Sequence, residues 1–492
     1  MRQSLPLAVL FVTLTALACA PPPAPGDGGE GEGAGEGEGE GEGEGEGVDG
    51  PTYFADMKPL IEEKCLACHI DGGIAPFALT DPDEVIGMAC FMAETVESLV
   101  MPPWPPSRLS PPMRDDISLT DDQIALFRAF ADAVARDFDN PPLGNPSDAP
   151  PPVEPQVFAL DGVIPDVSAT MGEAFVPTGI DTGEDEFRCF VLDPGADVVT
   201  EERMLIGQRF LPGNSLVAHH AILTLYSRDD LAAIQALDDA EEGAGWSCFG
   251  EDVPAEVATP VGRIGAWTPG NNGVLAYPGT GSRIPPNIVV LVSMHYNVTN
   301  VIGADGSVEL ARAADQSGIE LWFAPLDEQD ALGQAFGLPF NLNPRLRELA
   351  SPIPPNATAH VIEESVVLAD SRAGLRALLE QGNVDTVFAT GATAHAHLLL
   401  EHFELIANEG SADERVLLDI PAWDFDWQGQ YTFIDAVPLS IEDVVTVRCT
   451  YDNSSENRAR VGLDPTSVQV AAGEGTNDEM CIGGLQFVAV EP

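Results

Sequence analysis

The chain has 492 residues, which is too long for one hydrophobic core and predicts two to four domains. It carries 79 acidic residues against 22 lysines and arginines, a formal net charge of −57. This charge argues against nucleic acid and anionic lipid as partners, because both are themselves negative. It favours solubility and could attract a basic redox partner, although an acidic proteome or a saline habitat explains it equally well.

The N-terminus has the features of an export signal. Met1-Arg2 gives a short positive start, Leu5–Leu17 is apolar, and Ala16-Leu17-Ala18 resembles a cleavage site, so residues 1–18 predict a signal peptide. Cys19 follows directly, as in bacterial lipoproteins, and we expect it to carry a lipid; plain secretion is the alternative. The apolar stretch is short for a membrane span, so we expect a periplasmic or cell-surface protein, with membrane contact only through the lipid.

Three further segments precede the larger part of the chain. Residues 19–51 predict a disordered tether, because Gly29–Gly47 is a nearly perfect Gly-Glu alternation that buries no apolar surface. Residues 52–140 predict a small all-α domain, in which Thr120–Gln123 is a capping box that opens a helix. Residues 141–155 are rich in proline and predict a linker.

From residue 156 onward, short β-rich runs alternate with turn clusters. The clearest runs are Ser215–Tyr226, Asn287–Val298, Asp385–Thr390, Val444–Tyr451 and Leu485–Val490. This spacing predicts antiparallel β-sandwiches. The length fits two domains, 156–326 and 327–492, with their boundary near Leu326.

Cys65-Leu66-Ala67-Cys68-His69 is a C-x-x-C-H motif, the pattern of c-type haem attachment. Cys65 and Cys68 would bind the haem covalently, and His69 would ligate its iron. A chance C-x-x-C or a redox pair is the alternative, but the chain is exported and the motif lacks a thioredoxin-like context. Residues 52–140 therefore predict a cytochrome c-like domain with one haem c.

The second axial ligand of the haem iron is predicted to be Met101. The prolines of Met101-Pro102-Pro103-Trp104 would stiffen a loop that presents the thioether. Ligation by histidine and methionine raises the reduction potential and suits electron transfer. Three other methionines remain as alternatives, although any of them could belong to the core: Met88, Met92 and Met113.

Most of the eight histidines occur in groups. His395 and His397 are two residues apart, so on a strand they share a face and can reach one metal ion. His219 and His220 are adjacent and point to opposite faces of an ideal strand. They can bind one ion only if the strand ends or bulges there, or if they use different ring nitrogens. His295 ends an apolar, strand-like run.

These histidines predict two copper sites. The first set offers three nitrogens, from His219, His220 and His295. The second set offers two nitrogens and a thioether, from His395, His397 and Met480. Imidazole with a thioether selects copper, whereas structural zinc usually has thiolates in a closed shell. Two copper sites beside a one-electron carrier favour a redox protein.

Four segments resemble the copper type II, ascorbate-dependent monooxygenases, the family of the peptidylglycine α-hydroxylating and dopamine β-monooxygenases. The segments are Ala218–Tyr226, Val290–Tyr296, Ala394–Leu399 and Arg448–Cys481. Their most specific parts are His219-His220, Met294-His295-Tyr296, His395-x-His397 and Asp478-Glu479-Met480-Cys481. Order and rough spacing agree from about Phe187 to the C-terminus.

The resemblance implies two jelly-roll-like sandwiches, with the coppers facing a solvent cleft between them. The copper of the first set would transfer electrons, and the copper of the second set would bind O2 and attack the substrate. The resemblance also implies two disulfides, Cys189–Cys248 and Cys449–Cys481, of which the second would fix Met480. Cys90 is left over; a free buried thiol is one interpretation, and we assign it no function.

The implied activity is hydroxylation of a C–H bond in an unknown small organic or peptide-like substrate with O2. The fused haem, an ascorbate-like reductant or a redox protein would supply electrons. The substrate-binding side chains of the animal enzymes do not map onto this chain, so their substrates are not implied. The main alternative is a non-catalytic surface lipoprotein that binds copper or transfers electrons. A copper oxidase usually has an H-C-H run and a zinc hydrolase H-E-x-x-H, and the chain contains neither.

A few residues near the predicted sites stay without a firm role. Trp423, Trp427 and Tyr431 could line a substrate cleft, although a β-domain core is the better interpretation. His402 could support the neighbouring H-x-H pair or could simply be solvated. His360 has no assigned role.

Overall fold

The computed structural model describes residues 50–66, 68–70, 75, 77–114, 116–150, 160, 162–179, 185–248, 252–268, 273–303, 306–341, 352–372, 375–425, 427–473 and 477–489. The predicted signal peptide, Cys19 and nearly all of the predicted tether lie outside the described residues. The chain divides into two compact units. The first comprises Met1–Trp104 and Ile117–Val157, and the second comprises Pro105–Asp116 and Phe158–Pro492.

In its described part, the first unit contains a π-helical turn, Tyr53–Met57, and three α-helices. They are α1 (Lys58–Lys64), α2 (Pro82–Glu97) and α3 (Asp121–Arg136). Both longer helices begin with a capping box, in which the N-cap side chain and the third helical residue satisfy each other's backbone N–H groups. The apolar faces of α2 and α3 share a core that includes Val85, Phe127 and Phe130.

The predicted fold class is wrong in its first part. The chain is mostly β, in three sheets, and its few helices are short, at most 16 residues among those described. They do not form a clear all-α cytochrome c-like domain. Part of the expected domain, Pro105–Asp116, belongs to the second unit, where it pairs with β-strands. Helical periodicity identified single helices, but it does not determine how such helices assemble.

The second unit holds all the strands of the described chain. They are β1 (Val167–Thr170), β2 (Asp185–Leu192), β3 (Arg203–Leu211), β4 (Ala218–Ser227), β5 (Trp246–Ser247), β6 (Gly262–Trp267), β7 (Val274–Leu275), β8 (Thr280–Ile284), β9 (Ile288–Asn297), β10 (Gly318–Phe323), β11 (Gly333–Asn341), β12 (His360–Val367), β13 (Thr386–His395), β14 (Leu400–Ala407), β15 (Arg415–Ile420), β16 (Gln430–Ser440), β17 (Val444–Tyr451) and β18 (Ile482–Val488). Its described α-helices are α4 (Leu231–Asp238), α5 (Leu310–Ala313), α6 (Leu375–Gln381) and α7 (Ser455–Arg460).

The strands up to β10 form a sandwich-like half. One layer is a five-stranded antiparallel sheet in the order β5-β2-β9-β4-β6, and the other contains β1-β10-β3-β8. Apolar residues that alternate along the strands, such as Val290 and Val292 of β9 and Ile319 and Leu321 of β10, meet in one core. The spacing of β-rich runs and turn clusters predicted antiparallel sandwiches, and the β-sandwich-like organisation agrees with that prediction.

The later strands form a second sandwich-like half. A four-stranded sheet, β12-β17-β14-β15, faces a layer that contains β11-β18-β13-β16. The layers approach closely at Gly483 of β18, where a Cβ atom would lie 3.1 Å from Phe403 of β14 and 3.3 Å from Val447 of β17. A side chain at this position would require Phe403 or Val447 to shift by a few tenths of an ångström.

One sheet runs through both halves. Among the described residues it has nine strands, because β8 pairs in parallel with β11 through Gly333↔Thr280 and Gln334↔Gly281. The predicted boundary near Leu326 lies between β10 and β11, so this sheet crosses it.

The segment Pro105–Asp116, which we call the strap, lies along two sheet edges of the second unit. The Ser107 N–H donates to Asp419 O (2.7 Å) at the edge strand β15. Further along, Met113 forms an antiparallel bridge with Phe433 of the edge strand β16. The strap therefore satisfies backbone groups that edge strands otherwise leave open. No helix in the described part of the chain is long and apolar enough to cross a membrane.

Candidate metal centres

The three histidines of the first predicted set lie on neighbouring strands. His219 and His220 belong to β4, and His295 belongs to β9. The register shifts between Ala218, opposite Tyr296, and His220, opposite His295. This bulge is the irregularity that two adjacent histidines need if both are to reach one ion.

The ring nitrogens of this set converge. His220 Nδ1 lies 3.2 Å from His219 Nδ1 and 3.2 Å from His295 Nδ1, and the ligand atoms of the three residues lie within 4.8 Å of one another. In a tetrahedral shell, metal–nitrogen bonds of about 2 Å place the ligand atoms roughly 3.3 Å from one another. The set therefore fits one metal ion bound through three Nδ1 atoms.

Asp185 determines which nitrogen of His295 is available. Its Oδ1 accepts a hydrogen bond from His295 Nε2 (3.0 Å) and another from Asn297 Nδ2 (2.8 Å). With the proton on Nε2, the lone pair of His295 lies on Nδ1, which points to His220. Phe187 stacks on the His295 ring at 4.3 Å between centroids. No local motif in the sequence indicated Asp185, because β2–β9 pairing brings it to the site.

Burial favours the neutral imidazole at His220 and His295. Burial lowers the pKa of His295 to about 4, although the hydrogen bond to Asp185 acts in the opposite direction. Burial also holds the pKa of His220 well below its usual value, and the neighbouring His295 adds to this effect. Neutral imidazoles with free lone pairs are the form that binds metals.

The second predicted set uses the other ring nitrogens. His395 ends β13, and its Nδ1 lies 2.6 Å from Gln428 Oε1. His397 is buried, and its Nδ1 lies 3.2 Å from the backbone oxygen of Asp478. Both oxygens accept hydrogen bonds, so each Nδ1 carries the proton and each Nε2 keeps its lone pair. This set therefore fits a metal ion bound through Nε2.

Met480 lies near His397, just outside the paired strands. The backbone N–H groups of His397 and Met480 donate to the same oxygen, Glu479 Oε2, at 3.0 and 3.2 Å. The Met480 side chain is buried, and its carbonyl accepts a hydrogen bond from the Tyr451 hydroxyl (2.6 Å). The thioether thus belongs to the same region as the H-x-H pair, as the sequence predicts.

The two histidine sets adjoin. The His220 and His395 ring centroids lie 6.4 Å apart. Phe425 lies between the sets, with its centroid 5.3 Å from His219 and 5.9 Å from His397. The structure therefore brings the five imidazoles together, where the family resemblance implied an open solvent cleft between the sites.

The aromatic residues after β15 support the second set. Trp423 is buried, and its Nε1–H donates to the backbone oxygen of His397 (2.9 Å). Tyr431 is also buried, as expected for a core residue, whereas Trp427 is half-buried. Gln428 contacts both halves, since its backbone oxygen accepts a hydrogen bond from Thr268 Oγ1 (2.8 Å).

A further cluster of possible metal ligands comprises His402, Glu404 and Asp419. Its groups already have protein partners. Asp419 binds His402 Nε2 (2.7 Å) and the Ser107 hydroxyl, and Glu404 lies 3.3 Å from the Arg448 guanidinium. We interpret this cluster as a polar network.

The remaining histidine outside the predicted sets is His360. It begins β12, opposite Tyr451, and does not join either set.

Cys65 and Leu66 of the C-x-x-C-H motif pack partly against the helical core, and haem attachment stays a prediction. Burial raises the pKa of the Cys65 thiol to about 12 and also raises the pKa of the Cys68 thiol, so the pair is poorly suited to thiolate redox chemistry. His69 is 9% exposed, and its Nδ1 donates to Phe77 O (3.0 Å), which leaves Nε2 for iron. Met101 is partly buried against the same helical core.

The alternative methionines differ in their surroundings. Met92 is buried in the helical core, and Met88 packs partly against it. Met113 belongs to the strap in the second unit. Met101 therefore stays the predicted axial ligand.

Both predicted disulfides are present, Cys189–Cys248 and Cys449–Cys481. Such bonds persist in oxidising compartments, so they fit an exported protein. The second bond joins β17 to the residue after Met480. Cys90 is disulfide-bonded too, so its interpretation as a free thiol is wrong.

Comparisons with known proteins do not identify the chain. No family model matches it, and no curated protein matches it. Among solved structures, a protein described as secreted from Parabacteroides distasonis aligns at 8% identity over 66% of this chain and 89% of that chain, with a TM-score of 0.16. A second, from Eubacterium rectale, aligns at 9% identity over 65% and 74%, with a TM-score of 0.15. TM-scores this low do not establish a common fold, so these proteins say nothing about the function of this chain.

Proposed function

We propose that this chain is a copper-dependent monooxygenase that hydroxylates a C–H bond with O2 and receives electrons through a c-type haem. The main support is the convergence of five histidines. His220 Nδ1 lies 3.2 Å from the Nδ1 atoms of both His219 and His295, and the Nδ1 atoms of His395 and His397 face acceptor oxygens near the buried Met480. Neither a surface histidine cluster nor a structural zinc site needs this division of ring nitrogens or a neighbouring thioether.

The chain's own residues prepare the site for this chemistry. Two bound copper ions would supply O2 activation and two electrons, so that one oxygen atom enters the C–H bond and the other leaves as water with two protons. Asp185 and Gln428 orient the imidazoles of the two sets. Phe425 packs against His219 and His397, and Trp423 donates to the backbone oxygen of His397. The short distance between His220 and His395 favours electron transfer between the sets.

The haem part of the proposal uses residues of the first unit. Cys65 and Cys68 would hold the haem, and His69 with Met101 would ligate its iron. The protein would be exported and would take electrons from a redox protein or an ascorbate-like reductant. O2 and a small organic or peptide-like compound would be its substrates.

The first experiment is elemental analysis of the copper-reconstituted, haem-bearing protein. We expect two copper ions per haem iron, and one copper ion in each of the variants His295→Ala and His395→Ala, because each removes a ligand from only one set. His360→Ala is the matched control and should keep both ions. A wild-type ratio of one or zero would contradict the proposal.

Product formation separates an enzyme from a copper-binding protein. The loaded wild type should transfer 18O from 18O2 into at least one member of a panel of small organic and peptide-like C–H compounds, and His395→Ala should not. Consumption of O2 without labelled product, with both coppers bound, would favour the electron-transfer lipoprotein instead.

A further inference from the structure

The carboxylate of Glu479 is completely buried, and three backbone N–H groups surround it. Its Oε2 accepts from His397 N (3.0 Å) and Met480 N (3.2 Å), and its Oε1 accepts from Leu399 N (2.5 Å). A buried carboxylate is costly unless it is hydrogen-bonded, so its position depends on these donors.

These donors belong to two separate segments of the chain. His397 and Leu399 lie between β13 and β14, whereas Met480 directly precedes Cys481 and β18. One side chain therefore ties the segment that carries the second imidazole to the segment that carries the thioether. Each segment is also anchored elsewhere, by Trp423 on the His397 oxygen and by the disulfide of Cys481.

We propose that Glu479 is a positioning residue that sets the separation between the His397 imidazole and the Met480 thioether. This inference rests on the proposed function, in which these two groups bind one copper ion. Packing alone does not explain a carboxyl group at this place, because leucine or methionine would fill a similar volume without a buried polar group. The carboxyl group offers two oxygens to three backbone donors, whereas the amide of glutamine offers only one.

The substitution Glu479→Gln tests this role with little change in volume. Glutamine keeps one acceptor oxygen and turns an NH2 group toward at least one backbone N–H, so the two segments separate or rotate. We expect the copper–sulfur contribution in X-ray absorption of the Cu(I) protein to be lost. The affinity of the second site for Cu(I) should fall at least tenfold in chelator competition, while the first site keeps its copper.

Three comparisons make the result specific. Met480→Leu gives the spectrum of a second site without sulfur, and Glu401→Gln changes an exposed glutamate nearby and should behave as wild type. Glu479→Asp keeps the charge on a shorter side chain and should restore part of the copper–sulfur signal. If Glu479→Gln does not fold, Glu479→Asp is measured in its place. A Glu479→Asp protein with the same copper–sulfur signal as the wild type would then overturn the inference.

The possible failures are distinguishable. A folded Glu479→Gln protein with the full copper–sulfur signal and unchanged affinity would overturn the positioning role and leave the proposed function standing. A wild-type protein without any copper–sulfur signal would overturn the second copper site itself and the role of Glu479 with it.

Discussion

Asp185 and His295 show how one buried carboxylate can select the metal-binding nitrogen of a histidine. The hydrogen bond to Nε2 keeps the proton away from Nδ1, where the other two imidazoles converge. The same bond raises the basicity of the ring, although burial dominates the pKa of His295. Residues that contact a metal ligand in this way usually affect metal affinity without touching the metal.

The substitution Asp185→Asn should therefore weaken the first site selectively. Asparagine has a similar shape but no charge, so His295 loses part of its basicity and orientation. We expect a 10- to 100-fold loss in copper affinity at the three-histidine site, about 1.4–2.7 kcal/mol, and no change at the second site. Chelator competition would measure both copper affinities. The variants His395→Ala and His295→Ala, each with one site removed, would serve as references for the single sites.

Asp239→Asn is the matched control, because Asp239 is exposed. It should leave both affinities unchanged. An Asp185→Asn protein that binds copper at the first site as tightly as the wild type would show that Asp185 does not orient His295.

At the level of secondary-structure elements, the strap protects the open edges of two sheets. Its serines contact β15, where Ser110 Oγ accepts from the buried Asp419 N–H (2.9 Å). The strap then pairs with β16 through Met113 and Phe433. Edge strands with unpaired backbone groups otherwise invite association with other chains.

Ser110→Ala should loosen the strap. The buried Asp419 N–H would lose its acceptor, which costs about 1–3 kcal/mol. We expect a matching decrease in the free energy of unfolding by chemical denaturation, and faster proteolytic cleavage within Pro105–Asp116.

The control for this variant is Ser411→Ala, an exposed turn position at which water can replace the lost hydrogen bond. It should change the unfolding free energy by less than about 0.5 kcal/mol. Equal stability of the two variants would mean that Ser110 does not anchor the strap.

Over the whole molecule, the charge of −57 should govern encounters with electron donors. A strongly acidic protein attracts cationic donors and repels anionic ones, and salt screens both effects within about 10 Å at 0.1 M. Charge therefore affects the rate of association more than the chemistry after contact.

Reduction of the proposed haem by two small donors of opposite charge tests this expectation. The rate constant with a hexaammineruthenium(II) cation should fall as ionic strength rises, whereas the rate constant with the ascorbate anion should rise. Stopped-flow spectroscopy between 10 mM and 500 mM salt would measure both. Parallel salt dependences for the two donors would show that the net charge does not steer them.

The sequence predicted those parts of this molecule that follow from local pattern. Scarce, grouped histidines predicted two ligand sets, which stay a prediction. For adjacent His219 and His220 a bulge was one of the conditions for sharing an ion, and β4 contains one. Asp185 and Gln428 could not be predicted, because strand pairing and a loop bring them to the histidines from distant positions. Long-range pairing also explains why the all-α first domain was wrong, since the strap joins β-strands more than 300 residues away.

The parallel pairing of β8 with β11 bears on how such a protein can be divided. Among the described residues, strand pairing between the two halves comprises two residue pairs, Gly333↔Thr280 and Gln334↔Gly281. Either half, cut out near Leu326, would lose this partner strand and expose a new edge. The halves are therefore not interchangeable modules, and any recombination that replaced one of them would have to preserve the backbone geometry of that strand pairing.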